Sequence, residues 1–178
     1  MIRLVPFVRA DSEQLIGWVS SSEELFAWAG NTFTHPLDQR QLDGHLEREE
    51  SHNRIFKALL ESDGAPVGHV QLYLGERERG SGTICRLLVA PEWRRRGVGT
   101  SIVAALLDLA FGELGLRRVD LRAFAESEGV LSFYERLGFA PTDVQRDARR
   151  FRDEFRSLVV MGLEESEWRA HQAEPIVS

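Results

Sequence analysis

The sequence predicts one α/β domain of the α+β kind, a mixed but mostly antiparallel sheet flanked by helices, and two observations carry that prediction. Three strand-like runs follow one another, 54-RIFKALLE-61, 66-PVGHVQLYL-74 and 83-TICRLLVA-90, joined by the turn segments 62-SDGA-65 and 75-GERERGSG-82; this is the pattern of an antiparallel meander. The hydrophobic period then lengthens to that of a helix and a further strand follows, which makes a βαβ unit. A chain of 178 residues is long enough to bury a sizeable core unaided, and its lone Cys85 allows no internal disulfide.

The elements are expected in this order. The segment 2-IRLVPFV-8 reads as a strand, and Asp11 or Ser12 stands where it can cap a short helix carrying Leu15, Ile16, Trp18 and Val19. Residues 22–52 read as two helical pieces, 22–30 and 38–52, separated by the loop 31-NTFTHPL-37 with Pro36 as breaker, and are expected to lie mostly at the surface. After 91-PEWRRRGVG-99 comes an almost wholly apolar helix, whose Ile102, Val103, Leu106, Leu107, Leu109 and Phe111 must pack against the sheet. Gly112 or Gly115 ends it, and 117-RRVDLRAFA-125 is the next strand. Ser127 is placed to cap a helix running to about Leu137, Gly138 to close it, and 151-FRDEFRSLVVMGL-163 is again strand-like. The last dozen residues read as a tail.

Composition excludes several functions. A hydrophobic share of 43% beside 28% charged residues is that of a soluble globular protein. The most apolar stretch, 101-SIVAALLDLAF-111, is interrupted by Asp108 and is too short to cross a bilayer, so no membrane span is expected. The charged opening MIRLVPFVRADSEQ does not read as a secretory signal, which makes a cytoplasmic location the expectation. A net charge of −6, and the mixed signs of 146-RDARRFRDEFR-156, argue against nucleic acid; the overall field weakly favours a neutral or cationic partner.

Chemistry concentrates between the third strand of the meander and the buried helix. Gly97 and Gly99 lack β-carbons where several backbone N–H groups can face one anion at a helix N-terminus, and Arg94, Arg95 and Arg96 can add charged donors. Locally, a tight connection beside a solvated arginine face explains the same residues equally well.

The longer pattern distinguishes the two. The run 89-VAPEWRRRGVGT-100 resembles the acyl-CoA-binding motif of the GNAT superfamily of N-acetyltransferases, a Gln or Arg followed by two residues, Gly, one residue, and Gly or Ala; Arg94, Gly97 and Gly99 fill those positions. The segment 123-AFAESEGVLSFYERLGF-139 is similar to the family's second signature, with Tyr134, Gly138 and Phe139 in place, and the resemblance covers roughly residues 55–163. It departs at Ser127, where the family often has Asn, and at Val130, where it has Ala. The resemblance implies the GNAT fold, with six to seven strands, a splayed parallel pair and about four helices. It also implies one acetyltransferase domain over 1–165 with a tail over 166–178.

It further implies acetyl-CoA as acyl donor, coenzyme A as product, and direct attack by a primary amine in a ternary complex. The pyrophosphate would lie on the amides of Arg95, Arg96, Gly97, Val98, Gly99 and Thr100, with Arg94 beside them. The pantetheine arm would lie along Leu87, Leu88 and Val89, with Ser127 at the position of the family's Asn. Tyr134 matches the usual general acid and the Val89 amide is the candidate oxyanion donor. Many relatives are dimers, so a homodimer is an assembly to test for.

The base is not given by the motif. The strand 83-TICRLLV-89 contains no carboxylate; His69 is the first choice, His35 and Glu126 follow, and a water chain is the alternative. Trp28, Phe33 and Tyr73 can wall an acceptor site or serve as core. Arg86 and Arg122 either reach phosphate or flank the sheet. Cys85 has no activating His or Asp nearby in sequence and reads as inert. His45, Glu49 and His52 share a helical spacing suited to metal ligands, but a solvated helix is the favoured reading and no metal is expected. Two other functions stay open: a coenzyme-binding module without turnover, suggested by the missing carboxylate and the altered Asn position, and transfer of a longer acyl group. The acceptor amine could be an antibiotic, a polyamine, an amino acid or a protein amine.

Overall fold

A computed structural model describes residues 1–49, 52–75 and 80–173, the side chains of residues 48 and 49 excepted. Seven strands form one sheet: β1 (Ile2–Pro6), β2 (Asn53–Leu60), β3 (Pro66–Tyr73), β4 (Ser81–Val89), β5 (Arg118–Phe124), β6 (Ala140–Phe151) and β7 (Glu154–Glu164). Their spatial order is β1-β2-β3-β4-β5-β7-β6, and β4 with β5 is the single parallel pair. That pair is joined by the expected crossover, α4 (Val98–Asp108), whose last turn widens into a π-helical turn over Leu109–Glu113 before Gly115 takes φ +64°. The other helices are α1 (Ser12–Gly17), α2 (Ser22–Ala29), α3 (Gln39–Glu49), α5 (Glu128–Glu135) and α6 (Glu165–Ala173).

Strand alternation assigns the two faces of the sheet. Val70 and Leu72 on β3, with Val119, Leu121 and Ala123 on β5, share one core with Ile102, Val103, Leu106 and Leu107 of α4. Each of those α4 side chains is fully buried and contributes about 1.5–3 kcal/mol of transfer free energy. His69 and Gln71 point to the other face, where α1–α3 bury Leu15, Leu25, Phe33, Leu37 and Leu42 with Leu88 and Ala90 of β4 and its following loop. Residues 22–49 are therefore a packed layer, not the surface segment expected from their polarity.

The parallel register of β4 and β5 runs from Ser81–Arg118 to Ile84–Leu121, and beyond it the strands part. On its other edge β4 carries a bulge: His69 faces Leu88 and Gln71 faces Cys85, so Arg86 and Leu87 together oppose Val70. Arg86 takes φ +51°, a conformation costly for a residue with a β-carbon. Its carbonyl accepts two hydrogen bonds from the α2 side of the sheet, from Trp28 Nε1 at 2.8 Å and from His69 Nδ1 at 3.0 Å. The bulge and the fork thus meet at the same residues.

Several local expectations change. Residues 140–151 form a twelve-residue edge strand that the sequence reading passed over, because it is polar and exposed along most of its length. The described part of the stretch 166–178, read as a tail, belongs to α6 (Glu165–Ala173); Trp168 is 5% exposed and donates Nε1–H to Asp108 Oδ1 at 3.1 Å. With α1 short and α6 unforeseen, the described residues hold six α-helices where about four were expected. Asp11 does not cap α1; its carboxylate accepts from the Val8 N–H at 2.9 Å and pairs with Lys57. Ser127 precedes α5 without a side-chain cap bond, its carbonyl accepting from Val130 and Leu131 instead. No helix among the described residues is long and apolar enough to cross a membrane.

Candidate active site

Where β4 and β5 part, a cleft of about 740 Å³ opens, within the range usual for small-molecule sites. Its walls come from Thr83–Leu87 of β4, Leu121–Phe124 of β5, Ser127, Val130, Phe133 and Tyr134 around α5, the end of α2 with residues 30–32, and Ala148–Arg150 of β6. The β6–β7 hairpin reaches α2 because Phe151 stacks on Phe26 at 4.5 Å and the Arg150 carbonyl accepts from Asn31 at 2.9 Å.

Tyr134 is buried at the fork, edge-on to Phe133 and Phe139. Gly138, at φ +95°, closes α5 behind it, and the Phe139 N–H returns to the Tyr134 carbonyl at 3.1 Å. Burial, with Cys85 adding, pushes the phenol above its ordinary pKa, so it keeps its proton throughout the neutral range. Cys85 lines the same cleft, its Sγ 3.7 Å from the Thr83 carbonyl.

One edge of β4 is turned to the fork. The Ala90 N–H bonds the Val67 carbonyl at 2.9 Å, and the ladder alternates, so the N–H and C=O of Val89 point away from β3. Leu88, by contrast, pairs with His69 and buries its side chain among α1–α3; of the expected pantetheine stretch, Leu87 lines the cleft and Val89 offers its backbone.

The loop opening α4 suits a diphosphate. Gly97 is the N-cap at φ +77°, and a β-carbon on Gly99 would stand 3.6 Å from Phe133 and Val89, so neither position puts a side chain before the helix end. Ser101 N–H closes on the Gly97 carbonyl at 3.1 Å, and the amides of Val98, Gly99 and Thr100 are the first of α4, directed beyond its N-terminus. Arg94 is committed elsewhere: its Nε donates to the Val89 carbonyl at 3.0 Å and its Nη2 pairs with Glu24 at 2.6 Å, tying the loop to α2. The Ser20 N–H first, and Arg94 with it, hold the Glu24 carboxyl below its usual pKa. Arg96 lies over the Trp93 ring, and Arg95 takes φ +59°.

The remaining candidates separate. Trp28 lines the cleft, Phe33 stacks behind it, and Tyr73 is 40% exposed at the far end of β3 beside His52. His69 is 4% exposed, edge-on to Phe7 and Trp28; burial chiefly, with the Arg86 and His45 charges, lowers its pKa to about 4. Neutral and facing a carbonyl, it carries its proton on Nδ1. Glu126 pairs with Arg156 at 3.3 Å, and His35 is exposed in its loop. Arg86 and Arg122 both line the cleft. His45 is buried rather than solvated, bonding Gln71 Oε1 at 3.4 Å, while α3 ends at Glu49, before His52; the Glu49 side chain lies outside the described residues. Arg86 Nη1 donates to the same Gln71 oxygen at 2.6 Å, a link across 15 residues that sequence reasoning missed.

A sheet forked at its one parallel pair, a glycine-opened helix after the first strand and a tyrosine at the fork define the acyltransferase class that draws its acyl group from coenzyme A. The family model "Acetyltransferase (GNAT) family" matches residues 20–139, and the chain belongs to that family. It is 32% identical over 134 residues to the mycothiol acetyltransferase of Clavibacter michiganensis, covering 72% of this chain and 40% of the relative. Similarity to an uncharacterized N-acetyltransferase of Methanocaldococcus jannaschii reaches 34% over 90 residues, covering 48% and 39% respectively. The matched part thus spans about 40% of the length of these two relatives. In fold it matches a Vibrio cholerae spermidine N-acetyltransferase solved with CoA and spermine, at a TM-score of 0.82 and 18% identity, covering 94% of this chain and 98% of that one.

Proposed function

We propose that the protein is an N-acetyltransferase that moves the acetyl group of acetyl-CoA to a primary amine by direct attack within a ternary complex. The observation that carries this is the arrangement at the fork: Leu87 and the protonated phenol of Tyr134 line the cleft, and β4 runs on from there through the outward N–H of Val89 towards the loop that opens α4. Acetyl-CoA supplies an acyl group activated as a thioester. The amides of Val98, Gly99 and Thr100 hold the diphosphate, and Leu87 and the Val89 backbone guide the pantetheine arm. The Val89 N–H donates to the thioester carbonyl, where negative charge develops, and Tyr134 donates its proton to the departing sulfur.

Among the described residues lining the cleft there is no Asp, Glu or His. The amine therefore loses its proton to water in the cleft, while His69 secures the Arg86 carbonyl. Cys85 takes no covalent part. A polyamine is one acceptor to try, since the V. cholerae relative was solved with spermine; a homodimer and a cytoplasmic location complete the reading.

The experiment is thiol release from acetyl-CoA across polyamines, amino acids, antibiotics and peptides, with Tyr134→Phe in parallel. Turnover that falls roughly 10²-fold or more in the variant supports the assignment, in keeping with the usual contribution of a general acid. Binding of acetyl-CoA without turnover on any amine would instead support a coenzyme-binding module. Tighter binding of longer acyl-CoAs in competition would replace acetyl by a longer group.

A further inference from the structure

The charge of the cleft wall narrows the acceptor. The lining contains four arginines, Arg86, Arg122, Arg149 and Arg150, and no carboxylate among the described residues. This is the reverse of the whole chain, with its net charge of −6. The local field decides, because charges beyond about 10 Å are largely screened at physiological salt whereas those facing a cleft are not.

The arginines are also on the wrong side of the sheet for the coenzyme's diphosphate. Leu121 and Ala123 pack with α4, so Arg122 between them points to the opposite face, towards α2. Arg149 lies over the end of α2, where a β-carbon on Gly30 would be 3.9 Å from its Nε. Neither Gly97 and Gly99 nor Arg94–Arg96 lines the cleft. Existing bonds divide the four further. Arg86 spends Nη1 on Gln71 and Nη2 on Thr32 Oγ1 at 3.1 Å, and so braces the bulge. Arg150 donates Nε to the Arg152 carbonyl and lies 3.6 Å from Asp153. Arg149 spends Nη1 on the Ala148 carbonyl at 2.8 Å. Arg122 and Arg149 are both exposed residues on the cleft wall, one from β5 and one from the hairpin above it. Two arginines on the wall of one cleft, brought there by different elements, can together receive a carboxylate or phosphate through paired charged hydrogen bonds.

We infer, resting on the acetyltransferase reading, that the acceptor is a small amine that also carries an anionic group, held by Arg122 and Arg149 so that its amino group faces the fork. Among the described residues of this wall a polycation finds no carboxylate to pair with.

The test compares kcat/KM, on the intact protein, for matched pairs that differ in the anion alone. An α-amino acid against its amide probes the carboxylate, and 2-aminoethyl phosphate against ethanolamine probes the phosphate, with spermidine as the polycation. The anionic member of at least one pair is expected to win by about tenfold or more, because a site built to hydrogen-bond a group rejects analogues that lack it. That ratio should shrink severalfold in Arg122→Gln and in Arg149→Gln, while the KM for acetyl-CoA stays put. Equal turnover of both pairs, preference for spermidine, an undiminished ratio in both variants, or a rise in the acetyl-CoA KM in their place would each overturn the inference. Silence with every amine while acetyl-CoA still binds by calorimetry, or failure to bind acetyl-CoA at all, would instead overturn the acetyltransferase reading beneath it.

Discussion

Replacing His69 with asparagine separates the two things this side chain does. The asparagine amide nitrogen falls close to the place of Nδ1, so the hydrogen bond to the Arg86 carbonyl is kept, while the ring between Phe7 at 5.1 Å and Trp28 at 5.6 Å is lost. In the folded protein His69 titrates at about 4, against an ordinary value of 6.5. Between those limits the unfolded chain takes up a proton that the folded protein refuses, so folding stability falls as pH falls from about 6.5 to about 4. At ~1.36 kcal/mol per pH unit the gap amounts to about 3 kcal/mol, fully lost once the pH is below 4. Urea unfolding of parent and variant at pH 7.5, 6, 5 and 4 reads this directly. The variant is expected to be less stable at pH 7.5, by about 2 kcal/mol for the lost ring packing, yet to lose about 3 kcal/mol less on acidification. Carboxylates such as Glu24 contribute equally to both curves and cancel in the difference. Parallel curves for the two proteins would refute the claim that His69 is buried neutral, and with it the picture of a clamp that works only while uncharged.

Three further outcomes are expected. Trp28→Phe deletes the Nε1 donor to the Arg86 carbonyl, should cost about 1 kcal/mol of stability, and should lower kcat/KM for the amine severalfold, read by thiol release. Gly97→Ala forces a β-carbon into φ +77°, which costs about 1–2 kcal/mol; the melting temperature should fall by about 4 °C and calorimetric affinity for acetyl-CoA should drop with it. Trp168→Ala should destabilise by about 3–5 kcal/mol in urea, as expected for a buried tryptophan, whereas a dispensable tail would leave the midpoint unchanged.

What could be read from the sequence is what short stretches determine alone. The meander, the apolar α4 and the glycine loop each declare themselves within a dozen residues, and Tyr134 is fixed by its distance from Gly138 and Phe139. The edge strand β6 is silent because an edge exposed on both faces needs no alternation, and residues 140–151 have almost none. α6 holds one buried apolar side chain, Trp168, too few to set a period. His45, Gln71 and Asn53 look like surface residues by type, and are buried because they satisfy one another: Gln71 accepts from Arg86 and donates to Asn53. The bulge at Arg86 is less legible still, since it exists only in the register between two strands and in donors from α2 and β3. The charge of the cleft is the furthest from the sequence. Residues 86, 122 and 149 line one cleft because β4, β5 and the β6–β7 hairpin all border the fork, inside a chain whose net charge has the opposite sign. The proposed donor site is a local motif and is legible; the proposed acceptor site is assembled from distant strands, so recognition of the amine has to be read from the folded sheet.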